Sequence, residues 1–469
     1  MKELVSKQIF HTIGQLADET NTPVYVIGGY VRDQLLQRKE PKDIDFVAVG
    51  SGIDLAKKLS RHLKGAKLSV FKNFGTAQVK YKNLDLEFVG ARKESYRRES
   101  RKPIVEDGSL ADDQRRRDFT INTLAIALNS HNFGELIDPF GGIKDMDAGV
   151  IRTPLDPHVT YSDDPLRMMR AIRFAGQLNF KIEDESFAAI KDTRDRITII
   201  SIERVTDELN KIMLSRKPSI GLKLFYDTGL MHYFLPEIVA LKGVEEVDGQ
   251  LHKDNFYHTL QVVDNLAERS DNLWLRYAAL FHDIGKPVTK KFIKGTGWTF
   301  HNHEYVGSKM VYKIFRRLKL NLGSELKYVQ KIIALSSRPI AVADRNATDS
   351  AARRLLYDAG DDIEDLMKLC ESDITTRNER KKRAFLRNFQ QVRQRFSEVE
   401  ESDRIRNFQP PVDGREIMET FNLAPGPEIG VIKEAIKEAI LEGEIKNDES
   451  EARQFMIRKG QEMGLKIRK

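Results

Sequence analysis

A chain of 469 residues, 40% of them hydrophobic, is too long for one ordinary core and carries the apolar material for about three domains. Its 77 basic and 70 acidic side chains leave a net charge of +7, a modest surplus that permits a polyanionic partner without demonstrating one. A single cysteine, Cys370, excludes an intrachain disulfide and a cysteine metal cluster, and neither a signal-peptide core nor a membrane-length apolar run is present, which predicts a soluble, cytoplasmic protein with no membrane association.

Residues 4–18 space Val5, Ile9, Ile13 and Leu16 as an amphipathic helix without obvious chemistry. The apolar run Val24 to Ile27 is short enough for a buried strand, and Gly28-Gly29 breaks it before a helix-like segment, Tyr30 to Leu36. A strand passing through glycines into a helix is a phosphate cradle, because an anion can approach a backbone without Cβ atoms and the free N–H groups of the helix start point towards it. Arg32, in the first turn, can add a charge-assisted contact. Asp43 and Asp45 then flank Ile44 at the start of an apolar strand. The period of two puts both carboxylates on one sheet face, roughly 6–7 Å apart along the strand, which suits two hard cations or one gripped by both.

After a helix over 55–63, the segments 68–71, 77–81 and 84–89 read as strands of a mixed sheet. Asp85 and Glu87 share a face of the last; Glu87 is either a third metal carboxylate or an exposed strand acid. Residues 92–114 are rich in charge and poor in periodicity, which predicts a loop, either plain surface or one that closes on substrate. In R-R-R-D-F-T-I-N-T-L-A-I-A, residues 115–127, Phe119, Leu124 and Ile126 supply buried side chains, as does Leu128 just after, while Arg117 and Asp118 stand where they could reach phosphate and ribose. Asp138, in the following turn, reads as structural.

Pro165, preceded by Asp163 and Asp164, predicts a helix start. Arg167, Arg170 and Arg173 recur along that helix among the apolar Leu166, Met169, Ile172 and Phe174, so the helix is packed and its arginines are directed. In Ile202 to Leu214, Arg204 and Glu208 are spaced for an i, i+4 pair. From Asn255 the pattern turns helical throughout. Asn378 to Val399 reads as one helix with Phe385, Phe389, Val392, Phe396 and Val399 on a stripe and Arg380, Lys381, Lys382 and Arg387 mostly outside it; Pro410-Pro411 marks a boundary before a helical tail.

G-G-Y-V-R-D followed by D-I-D resembles the head of the class II tRNA nucleotidyltransferase and bacterial poly(A) polymerase superfamily, whose catalytic domain is similar to that of polymerase β. The resemblance implies an α/β head with a mixed sheet over 1–150, an all-α neck over 151–235, a helical body over 236–400 and a helical tail over 401–469. It implies catalytic carboxylates at Asp43, Asp45 and Glu87, with Mg2+ held by Asp43 and Asp45, and nucleotide contacts from Gly28, Gly29, Arg32, Arg117, Asp118, Asp164, Arg167, Arg170 and Arg173. Residues 116–122 resemble the R-R-D-F-T-x-N motif of that family, residues 203–209 its E-R-x-x-x-E-L motif, and 92–114 fall where it carries a flexible loop. Residues 163–167 resemble the E-D-x-x-R motif, a protein template: Asp164 would accept from the amine of C or A and Arg167 would donate to acceptors on the same edge, a pattern that U and G oppose. Asp163 stands where the family often has Glu.

N-F-Y-H-T-L at 255–260 and F-H-D-I-G-K at 281–286 resemble the His-Asp (HD) phosphohydrolase superfamily, which implies a metal set of His258, His282, Asp283 and Asp373 for a second divalent transition metal, with His303 nearby. Ser336 and Ser337 stand where several members have another histidine, so the body is open either to metal chemistry or to a service in gripping RNA. The implied function is addition of CCA to tRNA 3′ ends from CTP and ATP with release of pyrophosphate, with no obligate protein partner. A poly(A) polymerase, an enzyme adding only CC or only A, and an HD phosphohydrolase with a degenerate head are the alternatives.

Overall fold

Short β-branched and aromatic runs build a seven-stranded mixed sheet in the first of two units, Met1–Phe234. The structure is a computed structural model and describes residues 1–38, 41–97, 100–243, 246–247, 250–251, 254–343, 348–376, 378–403, 405–406 and 408–467. Helix α1 (Gln8–Asp18) precedes β1 (Val24–Ile27), α2 (Gly29–Leu35), β2 (Asp43–Ala48) and α3 (Gly52–His62). Strands β3 (Lys67–Phe71), β4 (Thr76–Tyr81) and β5 (Leu84–Gly90) continue the sheet. Strands β6 (Arg92–Arg97) and β7 (Ser100–Asp107) follow, then α4 (Leu110–Arg115), β8 (Ala125–Ala127) and β9 (Leu136–Ile137). The sheet order is β3-β4-β5-β2-β1-β8-β9, with β2 and β5 parallel and every other pair antiparallel. Phe46 of β2 stacks on Phe88 of β5 with ring centroids 4.8 Å apart, and Phe10 of α1 meets Tyr30 of α2 at 5.3 Å, so apolar packing holds the metal-strand candidate and the glycine turn together.

The loop expected over 92–114 is a correction: β6 and β7 pair with each other as an antiparallel ribbon, and Ser109 and Asp112 close a capping box that starts α4. Main-chain pairing needs no alternation of apolar side chains, so a charged ribbon leaves little trace in a hydrophobic pattern. Residues 98–99 of that stretch lie outside the described ones.

Helix α5 (Gly142–Asp147) is capped by Asp138, whose carboxylate accepts from the Gly142 and Ile143 N–H groups at 2.7 and 3.0 Å, the structural role expected of it. The longer helices that follow in this unit are α6 (Pro157–Asp163), α7 (Leu166–Leu178), α8 (Asp184–Thr193), α9 (Ile202–Met213) and α10 (Pro218–Asp227). Asp163 therefore ends α6 rather than introducing α7, and Asp164 occupies the junction in extended backbone. The Arg204–Glu208 pair is also corrected: Glu208 accepts from Arg173 and Lys211, because its helix turns it towards α7.

The second unit, Leu235–Lys469, is mainly helical. Its principal helices are α11 (Asn255–Ala267), α12 (Leu273–Phe281), α13 (His303–Arg317), α14 (Ser324–Leu335), α15 (Ile363–Ser372) and α16 (Glu379–Asp403). A small hairpin, Lys291–Ile293 with Gly297–Thr299, interrupts the expected run of helices. Helix α16 buries Phe389, Val392, Phe396 and Val399 as its stripe predicts, but Phe385 is 47% exposed because it lines a cavity of about 560 Å³ together with Ile340, Cys370 and Ile374. Helices Gly414–Phe421, Pro427–Glu442 and Glu449–Glu462 form the tail. Among the described residues no helix is long and apolar enough to cross a membrane.

Candidate active site and metal centre

The β2–β5 register sets Asp43 opposite Asp85 and Asp45 opposite Glu87, so Asp43, Asp45 and Glu87 share one exposed face of the sheet. Crowding by surrounding protein raises the Asp45 carboxyl above its ordinary value; Arg117 opposes this and Asp43 reinforces it. Glu87 is raised as well, by desolvation first and then by the charges of Asp45 and Asp43. Carboxylates gathered this way repel one another, and a divalent cation relieves that repulsion. The three form an open set, since they do not each bring a ligand atom within 4.8 Å of the others.

Gly28 stands beside them with φ +79°, a conformation that L side chains rarely adopt. A Cβ there would lie 2.9 Å from Arg117 Nη1 and 3.9 Å from Asp45 Oδ2, so the missing side chain lets the cradle backbone approach both charges. Gly29 opens α2, with its own absent Cβ facing Arg32. Arg117 is held by Asp113, a fully buried acid, through contacts of 3.1 Å. Asp113 also binds Arg116. Sequence reasoning missed this acid, because nothing marks it among the charges of 92–114.

The other arginines are tied into the protein. Arg32 is 8% exposed and gives two bonds to Asp33 and one, at 2.6 Å, to Asn122 Oδ1. Asn122 Nδ2 donates to Asp118 at 3.0 Å, and Asp118 accepts from Arg170 Nε at 2.7 Å. Burial alone would raise the Asp118 carboxyl, but Arg170 and Asn122 hold it at about 2. Arg167 donates to the Arg116 carbonyl at 2.6 Å, while Asp164 is half-buried and caps the Leu166 N–H at 3.3 Å. Arg173 pairs with Glu208 at 2.5 Å and with Gln177 at 2.8 Å. The arginines 167, 170 and 173 thus end on three different partners, and Arg167 and Arg170 carry α7 to the R-R-D-F stretch. Asn122, the bridge between cradle and helix, closes the R-R-D-F-T-x-N stretch, where nothing in the sequence marks its bridging role.

In the helical unit, His258, His282 and Asp283 offer ligand atoms all within 4.8 Å of one another and all three are buried. His258 Nε2 lies 2.8 Å from Asp373 Oδ1, and His282 Nε2 lies 3.3 Å from Asp283 and 3.5 Å from Asp373. His303 Nε2 approaches Asp283 at 3.7 Å. Each imidazole turns its Nδ1 to an oxygen: His258 to Thr375 Oγ1 at 3.0 Å, His282 to the Ala279 carbonyl at 2.8 Å, and His303 to the Phe300 carbonyl at 2.9 Å. This turns each Nε2 towards the carboxylates, where a divalent cation could take it as a ligand in place of a proton. His282 Nε2 is a buried atom without a hydrogen-bond partner, and a divalent cation among these residues would satisfy it. Desolvation lowers the His258 value; His282 is pushed up to about 9 despite its burial, by Asp283 and Asp373. Ser336 spends its hydroxyl on the Ile333 carbonyl at 2.8 Å.

Residues 24–152 match the poly A polymerase head domain, 179–241 the probable RNA and SrmB-binding site of polymerase A, and 255–377 the HD domain. The chain is 32% identical over 311 residues to the multifunctional CCA protein of Psychromonas ingrahamii, covering 63% of this chain and 70% of that protein. It belongs to the tRNA nucleotidyltransferase and poly(A) polymerase family. It is also 36% identical over 312 residues to the A-adding tRNA nucleotidyltransferase of Aquifex aeolicus; that alignment spans 66% of this chain but only 36% of the relative. Among solved structures, a CCA-adding enzyme in an apo form has the same fold, with a TM-score of 0.65 and 22% identity over 96% of this chain and 93% of that one. The mixed-sheet head, helical neck and HD body expected from the sequence are therefore those of the family.

Proposed function

We propose that this chain is a template-independent tRNA nucleotidyltransferase that builds CCA at tRNA 3′ ends from CTP and ATP in the cytoplasm. The observation that carries this reading is the shared face of Asp43, Asp45 and Glu87, set against the Gly28 turn and Arg117. Mg2+ held by Asp43 and Asp45 would lower the pKa of an attacking hydroxyl and screen the triphosphate. The Gly28-Gly29 turn and Arg117 receive the phosphates, Asp118 and Asn122 lie towards the sugar, and Asp164 with Arg167 read the base edge. The tRNA 3′ hydroxyl gives its proton to solvent as its oxygen forms a bond to the α-phosphorus, the bond from that phosphorus to the β-phosphate bridge breaks, and pyrophosphate departs with the bonding pair. Because C and A present the same amine-and-acceptor pattern to Asp164 and Arg167, one site serves both nucleotides. A second reading, addition of A alone, is favoured by the name of the Aquifex aeolicus relative. In the body, His258, His282, Asp283 and Asp373 hold a divalent transition metal.

Purified protein, tRNA lacking its 3′ end and each nucleoside triphosphate supplied alone and then in pairs test the reading. Ordered incorporation of C, C and one A is expected. Addition of A only to tRNA already ending in CC would select the second reading, and long A tracts would reject both.

A further inference from the structure

The ring of Phe174 in α7 is the common seat of three guanidiniums: Arg173 at 3.9 Å, Arg32 at 4.9 Å and Arg170 at 5.3 Å from its centroid. It is 6% exposed, and Phe119, the residue after Asp118, meets it edge to face at 5.8 Å. Helix periodicity accounts for Arg170, one turn away on the same helix. It does not account for Arg32, which arrives from the glycine turn, nor for the convergence of three like charges on one buried site. An aliphatic side chain would fill the space but attract no cation, whereas the negative face of an aromatic ring does. The contacts also close on themselves. Arg32 binds Asn122, Asn122 binds Asp118, Asp118 binds Arg170, and Arg170 and Arg32 return to the same ring.

We propose that Phe174 is a positioning residue for nucleotide selection: its ring fixes the spacing between the Gly28-Gly29 cradle and the sugar- and base-facing groups of Asp118 and α7. The inference rests on the nucleotidyltransferase reading above. Phe174 itself touches no substrate; it acts by aiming Arg32 and Arg170, which in turn hold Asn122 and Asp118. Packing alone would give Phe174 a role in stability. Aiming charges gives it a role that depends on the electron density of the ring.

Phenylalanines bearing one, two or three ring fluorines at position 174 separate these roles in the full-length protein, because fluorination withdraws density from the ring face with little change of volume. The expected result is a stepwise rise in the KM for ATP and CTP and a stepwise fall in discrimination against UTP and GTP, reaching roughly tenfold for three fluorines, at nearly constant thermal stability and tRNA affinity. Phe174→Leu should behave as the most fluorinated form. Wild-type KM and discrimination across the whole fluorine series would overturn the proposal, whatever Phe174→Leu does to folding. Protein that binds ATP but adds nothing to tRNA sinks the function reading only, and the series is then read on the ATP dissociation constant. Protein that does neither sinks both.

Discussion

Asp43, Asp45 and Glu87 reach one sheet face because strand geometry sends alternate residues there and register aligns the neighbouring strand, whereas His258 comes from one helix, His282 and Asp283 from the turn that ends a second, and they meet Asp373 at the end of a third. The first set is exposed and unclosed; in the second His258, His282 and Asp283 are buried and both imidazoles are oriented by an oxygen behind them, while Asp373 is partly exposed. An open set leaves coordination positions for substrate oxygens, and a closed set holds an ion through the protein's own ligands. On the function proposed above, the difference assigns the head acids to turnover and the histidine cluster to retention of a metal.

The sharpest way to break that comparison is at the head. Asp43→Ala or Asp45→Ala should lower nucleotide addition by about three orders of magnitude or more, since only the cation grip is removed, while circular dichroism and tRNA affinity stay as in the parent. Activity within tenfold of the parent in either variant would refute the site.

At the cluster, His282→Ala should weaken retention of a transition metal by about a hundredfold or more, read by elemental analysis after dialysis against a chelator, and leave CCA addition within about twofold. Addition that falls with the metal would show that the two chemistries are not separable.

How legible these two sets are in the sequence follows from the same contrast. A period of two announces Asp43 and Asp45, and strand β5 shows Glu87 on one face, but only the register of β2 with β5 makes the three carboxylates neighbours. The HD residues are legible by resemblance alone, because no local periodicity connects His258 with Asp373. The partners of the α7 arginines are not legible at all. Three arginines three residues apart predict directed charges, yet their destinations, the Arg116 carbonyl, Asp118 and Glu208, depend on what the fold brings alongside. The same holds for Asp113, whose burial nothing in a charged stretch reveals, and for the β6–β7 ribbon, which main-chain pairing holds without a hydrophobic signature.

A smaller effect tests the base-reading role proposed for Asp164 in the neck. Asp164→Ala should relax preference for C and A over U and G by roughly ten- to a hundredfold, because an unmet hydrogen bond in a desolvated site costs about 1–3 kcal/mol. Incorporation of each triphosphate in competition measures it. Equal loss of all four nucleotides in folded protein would make Asp164 a helix cap, through its bond to the Leu166 N–H, and nothing more.

The smallest expected effect is a pH dependence in the link between Asp118 and α7. Asp118 has an ordinary carboxyl value of 3.8 when unfolded and about 2 in the fold, so its ionised form is favoured by folding. The stabilisation is complete above about pH 5 and is lost as the pH falls through the folded value near 2, and the gap between the two values corresponds to about 2 kcal/mol. Asp118→Asn removes the charge at every pH and leaves Arg170 facing a neutral side chain, as protonation of Asp118 does in the parent at low pH. Amide hydrogen exchange of peptides from α7, corrected for intrinsic rates, should therefore show the variant less protected than the parent at pH 7, with the difference shrinking towards pH 2.5. A difference that stays constant over that range would mean that shape, and not the charge on Asp118, holds α7 to the head.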